Sequence, residues 1–198
     1  MKLKFPALLM LIGFAFSACQ KELSYEVDPG NTGGSGSGGG GNGGGGSSSG
    51  YYIKGKKDGT AFSYTNVPMA MITSISGATM VSLSANASSN GSSLEGIALQ
   101  INFFNGATLA TTTYAENDTS TDHIIGGVYN PNSTTIVYGA GQAANSVKPL
   151  KIVVATKTSS EITGTFEGAF YKTDVVAGTL SQTEYITITE GDFKLPVK

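Results

Sequence analysis

The chain from Tyr51 to Lys198 consists of short apolar or alternating runs separated by clusters of Gly, Asn, Asp and Ser. This pattern is typical of β-strands, because successive side chains of a strand point to opposite faces of a sheet. Long runs with helical periodicity are absent, and we expect at most one short helical turn, near Ala143-Ala144. The predicted strands are Tyr51–Lys54, Ala61–Tyr64, Ala70–Ile75, Thr79–Ala85, Glu95–Phe104, Thr108–Tyr114, Ile124–Tyr129, Thr135–Tyr138, Leu150–Thr156, Glu161–Tyr171, Tyr185–Thr189 and Phe193–Val197.

Residues Glu161–Tyr171 show the alternation most clearly. One face carries isoleucine and phenylalanine with glycines between them, and the other face is mainly polar. In the next strand, two isoleucines point one way and two threonines the other. Alternation of this kind predicts antiparallel strands buried on one side. The predicted core residues are Ile162, Phe166, Phe170, Ile186 and Ile188.

Many short strands without intervening helices predict an all-β domain over residues 51–198, either an antiparallel β-sandwich or a barrel. The segment Lys57-Asp58-Gly59-Thr60 is expected to form a hairpin turn, because Asp-Gly accommodates positive φ. A sandwich and a barrel differ in whether the inner face leaves a cavity, and the pattern does not decide between them.

The first residues have a different pattern. Lys2 and Lys4 precede an almost wholly apolar run, Phe5–Phe16, which is followed by the small residues Ser17 and Ala18. A charged start, a short apolar run and small residues before a cleavage site are typical of a secretory signal peptide. The run is shorter than the approximately 20 residues that a membrane-spanning helix needs. Residues 1–18 are therefore predicted to be a signal peptide rather than a buried helix.

The only cysteine of the chain follows directly. Phe16-Ser17-Ala18-Cys19 resembles the lipobox of bacterial lipoproteins, with Phe16 where that family usually has Leu. The resemblance implies that Cys19 is lipidated and becomes the first residue of the mature chain, and two or three acyl chains would hold it stably at a membrane. The alternative is a buried free thiol.

Gln20-Lys21-Glu22 resembles the export signal of surface lipoproteins of Bacteroidetes-type bacteria, which implies the outer membrane and the cell surface. An ordinary start of a linker is the alternative. Pro29–Gly50 contains almost half of the 28 glycines and no apolar residue. Such a segment cannot bury enough surface to offset its ordering entropy, so residues 19–50 are predicted to be a lipidated cysteine followed by a flexible linker.

Two short motifs near the C-terminus carry a second resemblance. Gly164-Thr165-Phe166 and the later Thr189-Glu190-Gly191-Asp192-Phe193 are similar to the G-T-F strand and the T-x-G-x-F hairpin of uncharacterised Bacteroidetes-type lipoprotein domains. This resemblance implies a β-fold and no particular activity.

The amino-acid composition argues against several classes of function. The chain has 198 residues and a formal net charge of −2, and its 12 basic residues are all Lys. Nucleic-acid-binding proteins track phosphates with clustered Lys and Arg, so no nucleic-acid partner is predicted. The single Cys excludes an intrachain disulfide and a Cys-built metal site. With one His and no Trp, the sequence predicts no cofactor.

Two glycine-containing segments resemble nucleotide-binding motifs only in part. Gly139–Ala144 matches part of a dinucleotide fingerprint, but Asn145, Ser146 and Pro149 would end the helix that must present its N-terminus to pyrophosphate. Gly50–Lys57 has the Gly-Lys pair of a P-loop, but Lys57 stands where Ser or Thr must hold magnesium. No nucleotide is predicted as a partner.

The segment from Glu116 to His123 clusters three acids, Glu116, Asp118 and Asp122, beside the only histidine. Closely spaced oxygen donors can hold calcium, but the segment lacks the turn glycine of a dedicated loop. We predict a solvated loop whose calcium affinity is no tighter than about millimolar. Asp122 and His123 are expected to point to opposite faces of a strand, which would prevent them from acting as a pair.

A sugar-cleaving enzyme needs two converging carboxylates, and the acids of the predicted domain are scattered. Tyrosines could stack on sugars in place of tryptophan, although most are expected to be sheet residues. The tyrosines concerned are Tyr51, Tyr52, Tyr64, Tyr114, Tyr129, Tyr138, Tyr171 and Tyr185.

Taken together, these patterns predict a lipoprotein anchored at the outer membrane through Cys19. Its β-domain is expected to act as a non-catalytic binding or structural module for an extracellular or periplasmic ligand. The alternatives are a lipocalin-like barrel that binds a small apolar ligand and a carbohydrate-active hydrolase. The sequence identifies neither the ligand nor the membrane leaflet.

Overall fold

The computed structural model describes residues 50–88, 93–141 and 146–198, all within the compact unit Gly45–Lys198. The described residues form eleven strands and no helix, as the all-β prediction requires. The strands are β1 Tyr52–Lys57, β2 Thr60–Tyr64, β3 Asn66–Ile75, β4 Ala78–Asn86, β5 Gly96–Phe103, β6 Thr113–Ala115, β7 His123–Asn130, β8 Ile136–Ala140, β9 Lys151–Lys157, β10 Glu161–Asp174 and β11 Thr179–Pro196. The helical turn predicted near Ala143-Ala144 lies outside the described residues.

One antiparallel sheet contains all the strands, with the main order β2-β1-β11-β10-β8-β7-β5-β4-β3. Two strands pair with the same edge of β10: β9 pairs with its first half, and β8 pairs with its last residues. Strand β6 pairs with β9. An isolated parallel bridge joins Ala70 of β3 to Val197, so the last strand in the order returns to the end of β11. The sheet is nevertheless not closed, so the architecture fits the predicted sandwich and not the closed barrel.

The apolar faces of the strands form one continuous core. The five predicted core residues, Ile162, Phe166, Phe170, Ile186 and Ile188, are all buried, which confirms the alternation in both strands. The second half of β10 departs from the pattern, because Ala169 and Tyr171 on its other face are buried as well. Residues 146–150 cover that face, with the backbone N–H of Ala169 donating to Lys148 O at 2.7 Å and that of Val147 donating to the Tyr171 hydroxyl at 2.8 Å.

The predicted strand Thr108–Tyr114 is wrong over most of its length, since only Thr113–Ala115 forms a strand. The backbone before it has other partners. The N–H of Ala110 donates to the Tyr114 hydroxyl at 2.8 Å, and the same hydroxyl donates to Ala110 O at 3.1 Å. Lys157 Nζ donates to Leu109 O at 3.1 Å. Local side-chain bonds therefore replace a strand ladder in this loop.

The hairpin between β1 and β2 forms as predicted, with φ of 47° at Asp58 and 81° at Gly59. The two predicted strands Tyr185–Thr189 and Phe193–Val197, by contrast, belong to one strand, β11, that contains a β-bulge. Between the pairs Phe166↔Gly191 and Gly168↔Ile188, β11 has one residue more than β10. The same extra residue appears against β1.

Glu190 stands in this bulge with a φ of 51°. Because side chains alternate along a strand, one inserted residue changes which positions face the core. Before the bulge the buried residues are Ile186 and Ile188, and after it they are Phe193 and Leu195. The bulge therefore keeps the apolar side of β11 on the core from Ile186 to Leu195.

The two C-terminal motifs pair directly with each other. Gly164 lies opposite Phe193, and Phe166 lies opposite Gly191. A Cβ added at Gly164 would come within 2.5 Å of the Phe193 ring, and one added at Gly191 would come within 2.7 Å of the Phe166 ring. Each ring therefore occupies the space that the missing side chain leaves on the opposite strand.

Candidate functional site

A surface groove of about 340 Å³ lies where β10 and β11 pair beside the bulge. Its polar lining includes Glu167 of β10, Glu190 and Asp192 of β11, and Lys151 of β9. Glu190 is the extra residue of the bulge, and Asp192 follows it two positions later on β11. Both carboxylates line the groove together with that of Glu167 on the neighbouring strand.

Each of these carboxylates has a lysine partner. The three pairs are Glu167 with Lys148 at 2.7 Å, Glu190 with Lys56 at 2.7 Å and Asp192 with Lys54 at 3.3 Å. The hydrogen bond from Lys148 holds the pKa of Glu167 below its usual range. A general acid needs a carboxyl group whose pKa is raised, and the shift of Glu167 is in the opposite direction.

Tyrosine rings lie beside the same charges. The Tyr52 hydroxyl donates to Asp192 Oδ2 at 3.0 Å, and Lys54 Nζ lies 4.4 Å from the centre of the Tyr52 ring. Lys194 Nζ lies 5.9 Å from the centre of the Tyr51 ring. Both rings are only partly buried. Four other tyrosines are buried in the fold: Tyr64, Tyr114, Tyr129 and Tyr171.

A second cleft, of about 290 Å³, lies between the loop before β6 and the start of β7. Asp118, Ser120, Asp122 and His123 line it together with Tyr114. His123 Nδ1 lies 2.7 Å from Asp122 Oδ1, and His123 Nε2 lies 3.7 Å from Asp118 Oδ2. Hydrogen bonds from Ser120 and His123 hold the pKa of Asp122 below its usual value.

The expectation that Asp122 and His123 point to opposite faces is therefore wrong. Strand β7 begins at His123, so Asp122 belongs to the preceding turn and is not bound by strand alternation. Glu116, the third acid of the segment, has a different partner: its Oε2 accepts the backbone N–H of Leu150 at 2.7 Å. Burial raises the pKa of Glu116. No group of three or more His, Cys, Asp or Glu side chains in the described part of the chain is arranged to hold a metal ion.

A polar network that the sequence did not suggest connects β1, β2 and β7. Glu95 Oε1 accepts the hydroxyls of Tyr64 and Tyr129, both at 2.7 Å. Lys57 Nζ donates to the Tyr129 hydroxyl at 2.6 Å and lies 3.9 Å from Glu95 Oε1. Burial raises the pKa of Glu95, but the two tyrosine hydrogen bonds and the Lys57 charge outweigh it, so the net shift is downward.

Parts of the two glycine-containing segments, Gly139–Ala144 and Gly50–Lys57, belong to strands of the sheet. Gly139 and Ala140 end β8, and Gly141 follows with a φ of 83°. The remainder of Gly139–Ala144 lies outside the described residues. Most of Gly50–Lys57 is strand β1, which is not the loop that would cradle a phosphate.

Cys19, the predicted signal peptide of residues 1–18 and the predicted linker up to residue 49 also lie outside the described residues. Among the residues that the structure does describe, no helix is long and apolar enough to cross a membrane.

Comparison with known proteins gives no relative for this chain: no family model matches it, and no curated protein or solved structure shows significant similarity.

Proposed function

We propose that this protein is a lipid-anchored module of the bacterial outer membrane that binds a polar ligand without transforming it. The anchor is Cys19, and the binding surface is the groove beside the bulge of β11. Two kinds of observation support the two parts of this proposal, the N-terminal sequence for the anchor and the charge pattern of the groove for the binding.

The anchor rests on the order of features before the β-domain. An apolar run ends in Ser17-Ala18-Cys19, and a glycine-rich stretch then separates this cysteine from β1, which begins at Tyr52. A thioether-linked diacylglycerol together with an acylated amine would hold the chain at a membrane, because two or more acyl chains give stable anchoring.

Replacing Cys19 with Ala tests the anchor. We expect Cys19→Ala to lose incorporation of an alkyne-labelled palmitate and to leave the membrane fraction, while Ser17→Ala, which keeps a small residue before the cysteine, retains both. Labelling of Cys19→Ala at the level of the unaltered protein would contradict the assignment.

The paired charges of the groove are the single observation that favours binding over hydrolysis. Glu167, Glu190 and Asp192 each pair with a lysine, so the groove presents hydrogen-bonding groups of both charge signs, and the pKa of Glu167 is lowered and not raised as a general acid requires. Glu116, whose pKa is raised, is bonded to the backbone of Leu150 and is not among the residues lining the groove. A lipocalin-like function would need a closed barrel, and the sheet is not closed.

An oligosaccharide is the ligand class that fits this surface best. Sugar hydroxyls pair with planar carboxylates and with ammonium groups, and both kinds of group line the groove. The hydroxyl of Tyr52 already orients Asp192 toward this part of the surface.

A glycan array tests this ligand class. We expect the full-length protein to bind a subset of glycans, and we expect the double variant Glu167→Gln with Asp192→Asn to lose that binding at least tenfold. Glu184→Gln is the matched control, because Glu184 pairs with Lys172 at an exposed position and is not among the groove-lining residues. No glycan bound, or binding unchanged in the double variant, would overturn the proposal.

A further inference from the structure

The second cleft contains a buried nitrogen without a partner. The His123 side chain retains only 9% of its exposure, and its Nε2 makes no hydrogen bond. The ring packs edge-on against Tyr114 with centroids 5.0 Å apart, and it also contacts Phe103 at 6.1 Å. Two aromatic neighbours therefore fix the ring, and its unpartnered atom lies at the cleft.

The contact with Asp122 determines which ring nitrogen of His123 carries the proton in the neutral imidazole. Asp122 Oδ1 lies 2.7 Å from His123 Nδ1, and a carboxylate can only accept a hydrogen bond, so Nδ1 carries a proton. In the neutral imidazole, Nε2 then has a free lone pair. The same arrangement, in which a carboxylate holds one ring nitrogen and the other is free, orients many metal-binding histidines.

The group facing this lone pair is another carboxylate. Asp118 Oδ2 lies 3.7 Å from Nε2, which is too long for a hydrogen bond. The other oxygen of Asp118 accepts the backbone N–H of Ser120 at 3.0 Å, so the side chain is held in place. A lone pair and a carboxylate oxygen that face each other repel unless a proton or a cation lies between them.

We propose that His123 Nε2 and Asp118 Oδ2 together bind a divalent transition-metal ion of the Zn²⁺ type. Metal–ligand bonds of about 2.0–2.2 Å at a tetrahedral angle place the two ligand atoms about 3.4 Å apart, so a shift of a few tenths of an ångström suffices. Asp118 is 38% exposed, which gives the ion access from the cleft. The protein supplies two ligands, and water or a bound molecule completes the coordination.

The chemistry of the donors selects the ion. An imidazole nitrogen with a carboxylate oxygen suits Zn²⁺ and its neighbours in the first transition row, whereas Ca²⁺ and Mg²⁺ require an all-oxygen shell. The inference is independent of the proposed glycan groove, because it concerns other strands and other side chains.

The single histidine allows a direct test. In the full-length chain, purified in detergent without a histidine tag, the long-range ¹H–¹⁵N spectrum contains one imidazole, that of His123. We expect the Nδ1 proton to be retained throughout the titration, because Nδ1 lies 2.7 Å from Asp122 Oδ1. Addition of ZnCl₂ should shift the Nε2 signal and saturate at one equivalent, whereas CaCl₂ should leave it unchanged.

Variants separate a metal site from a buried ion pair. Asp118→Asn should weaken Zn²⁺ binding at least tenfold, and Asp122→Asn should weaken it by about 10–100-fold through loss of ring orientation. Glu184→Gln controls for removal of an exposed acid and Cys19→Ser for metal binding by the only Cys sulfur, and both variants should bind as the unaltered chain does. An imidazole that is protonated on both nitrogens and insensitive to ZnCl₂ would overturn the proposal, as would a shift that survives in Asp118→Asn or disappears in Cys19→Ser.

Discussion

Two glycines and two phenylalanines determine how closely β10 and β11 approach each other. Gly164 and Gly191 each lie under the ring of the opposite strand, and each also lies close to a neighbouring backbone carbonyl. A ring can move to another rotamer, but a backbone carbonyl in a paired strand cannot move without breaking the ladder. Glycine is therefore required at both positions because a Cβ atom does not fit there, and not because the backbone has an unusual conformation.

Gly191→Ala is expected to destabilise the fold by about 3 kcal/mol, the upper end of the usual cost of overpacking a core. Its Cβ would collide with the carbonyl oxygen and the ring of Phe166. Gly126→Ala is the matched control, because the nearest atom to its Cβ would be Ala140 O at an ordinary 3.6 Å. Urea denaturation measures both variants, and equal stability would show that Gly191 is not close-packed.

Individual residues could be predicted from the sequence where the alternation of a single strand decides their position. The burial of Phe166 and Ile188 follows from such alternation. The contact between Asp122 and His123 could not be predicted, since it depends on β7 beginning one residue later than Asp122. Boundaries of this kind are decided by pairing with a distant strand and not by local pattern.

At the scale of the element, the bulge in β11 is the feature that joins two predicted strands into one. The buried positions are 186 and 188 before the bulge and 193 and 195 after it. From the sequence alone, the same change of parity around Gly191 fits a turn between two strands equally well, and only the pairing shows that it is a bulge. The register that sets Glu167 opposite the bulge could not be predicted, because it requires knowing which strands pair.

Deleting Glu190 should leave the domain folded, because Glu190 is the one residue that β11 has in excess of β10. The deletion brings Gly191, Phe193 and Leu195 into regular alternation with Ile186 and Ile188, so all of them stay on the core face. Glu190→Gly keeps the extra residue and should also be tolerated, since glycine accepts the φ of 51° without strain. Circular dichroism during thermal unfolding measures both variants, and loss of the cooperative transition in the deletion variant would contradict the assignment of Glu190 as the extra residue of the bulge.

At the scale of the whole molecule, the network around Glu95 connects strands that are far apart in the sheet order. Lys57 and Tyr64 come from β1 and β2, while Tyr129 comes from β7 and Glu95 immediately precedes β5. These strands meet because the sheet folds back on itself, as the bridge between Ala70 and Val197 also shows. Contacts of such long range leave no signal in a local pattern of hydrophobic residues, and only the fold as a whole creates them.

This network predicts a dependence of stability on pH. The pKa of Glu95 is lower in the folded protein than in the unfolded chain, so its contribution is complete above about pH 4.5 and is lost as the pH falls through the lower, folded pKa. At pH 7, Glu95→Gln should cost about 2 kcal/mol, a typical value for hydrogen bonds to a charged group. It should also flatten the loss of stability below pH 4.5.

Urea midpoints measured between pH 3 and 7 test this expectation, with Glu184→Gln as the control for removal of an exposed acid. If Glu95→Gln and the unaltered protein lose stability in parallel below pH 4.5, another carboxyl group is responsible for the acid sensitivity.

The position of β1 has a mechanical consequence. This strand lies between β2 and β11 and has five register pairs with each of them. Hydrogen bonds of an antiparallel ladder run perpendicular to the strands, so tension along β1 strains both ladders in shear, and their bonds resist together instead of opening one at a time. Chain that enters the domain at Tyr52 therefore joins it at a point suited to withstand flow or traction. In a pulling experiment, force applied ahead of Tyr52 and at Ile186 of β11, which lies beyond the partner of the last β1 residue, would load the ladder between β1 and β11 in shear.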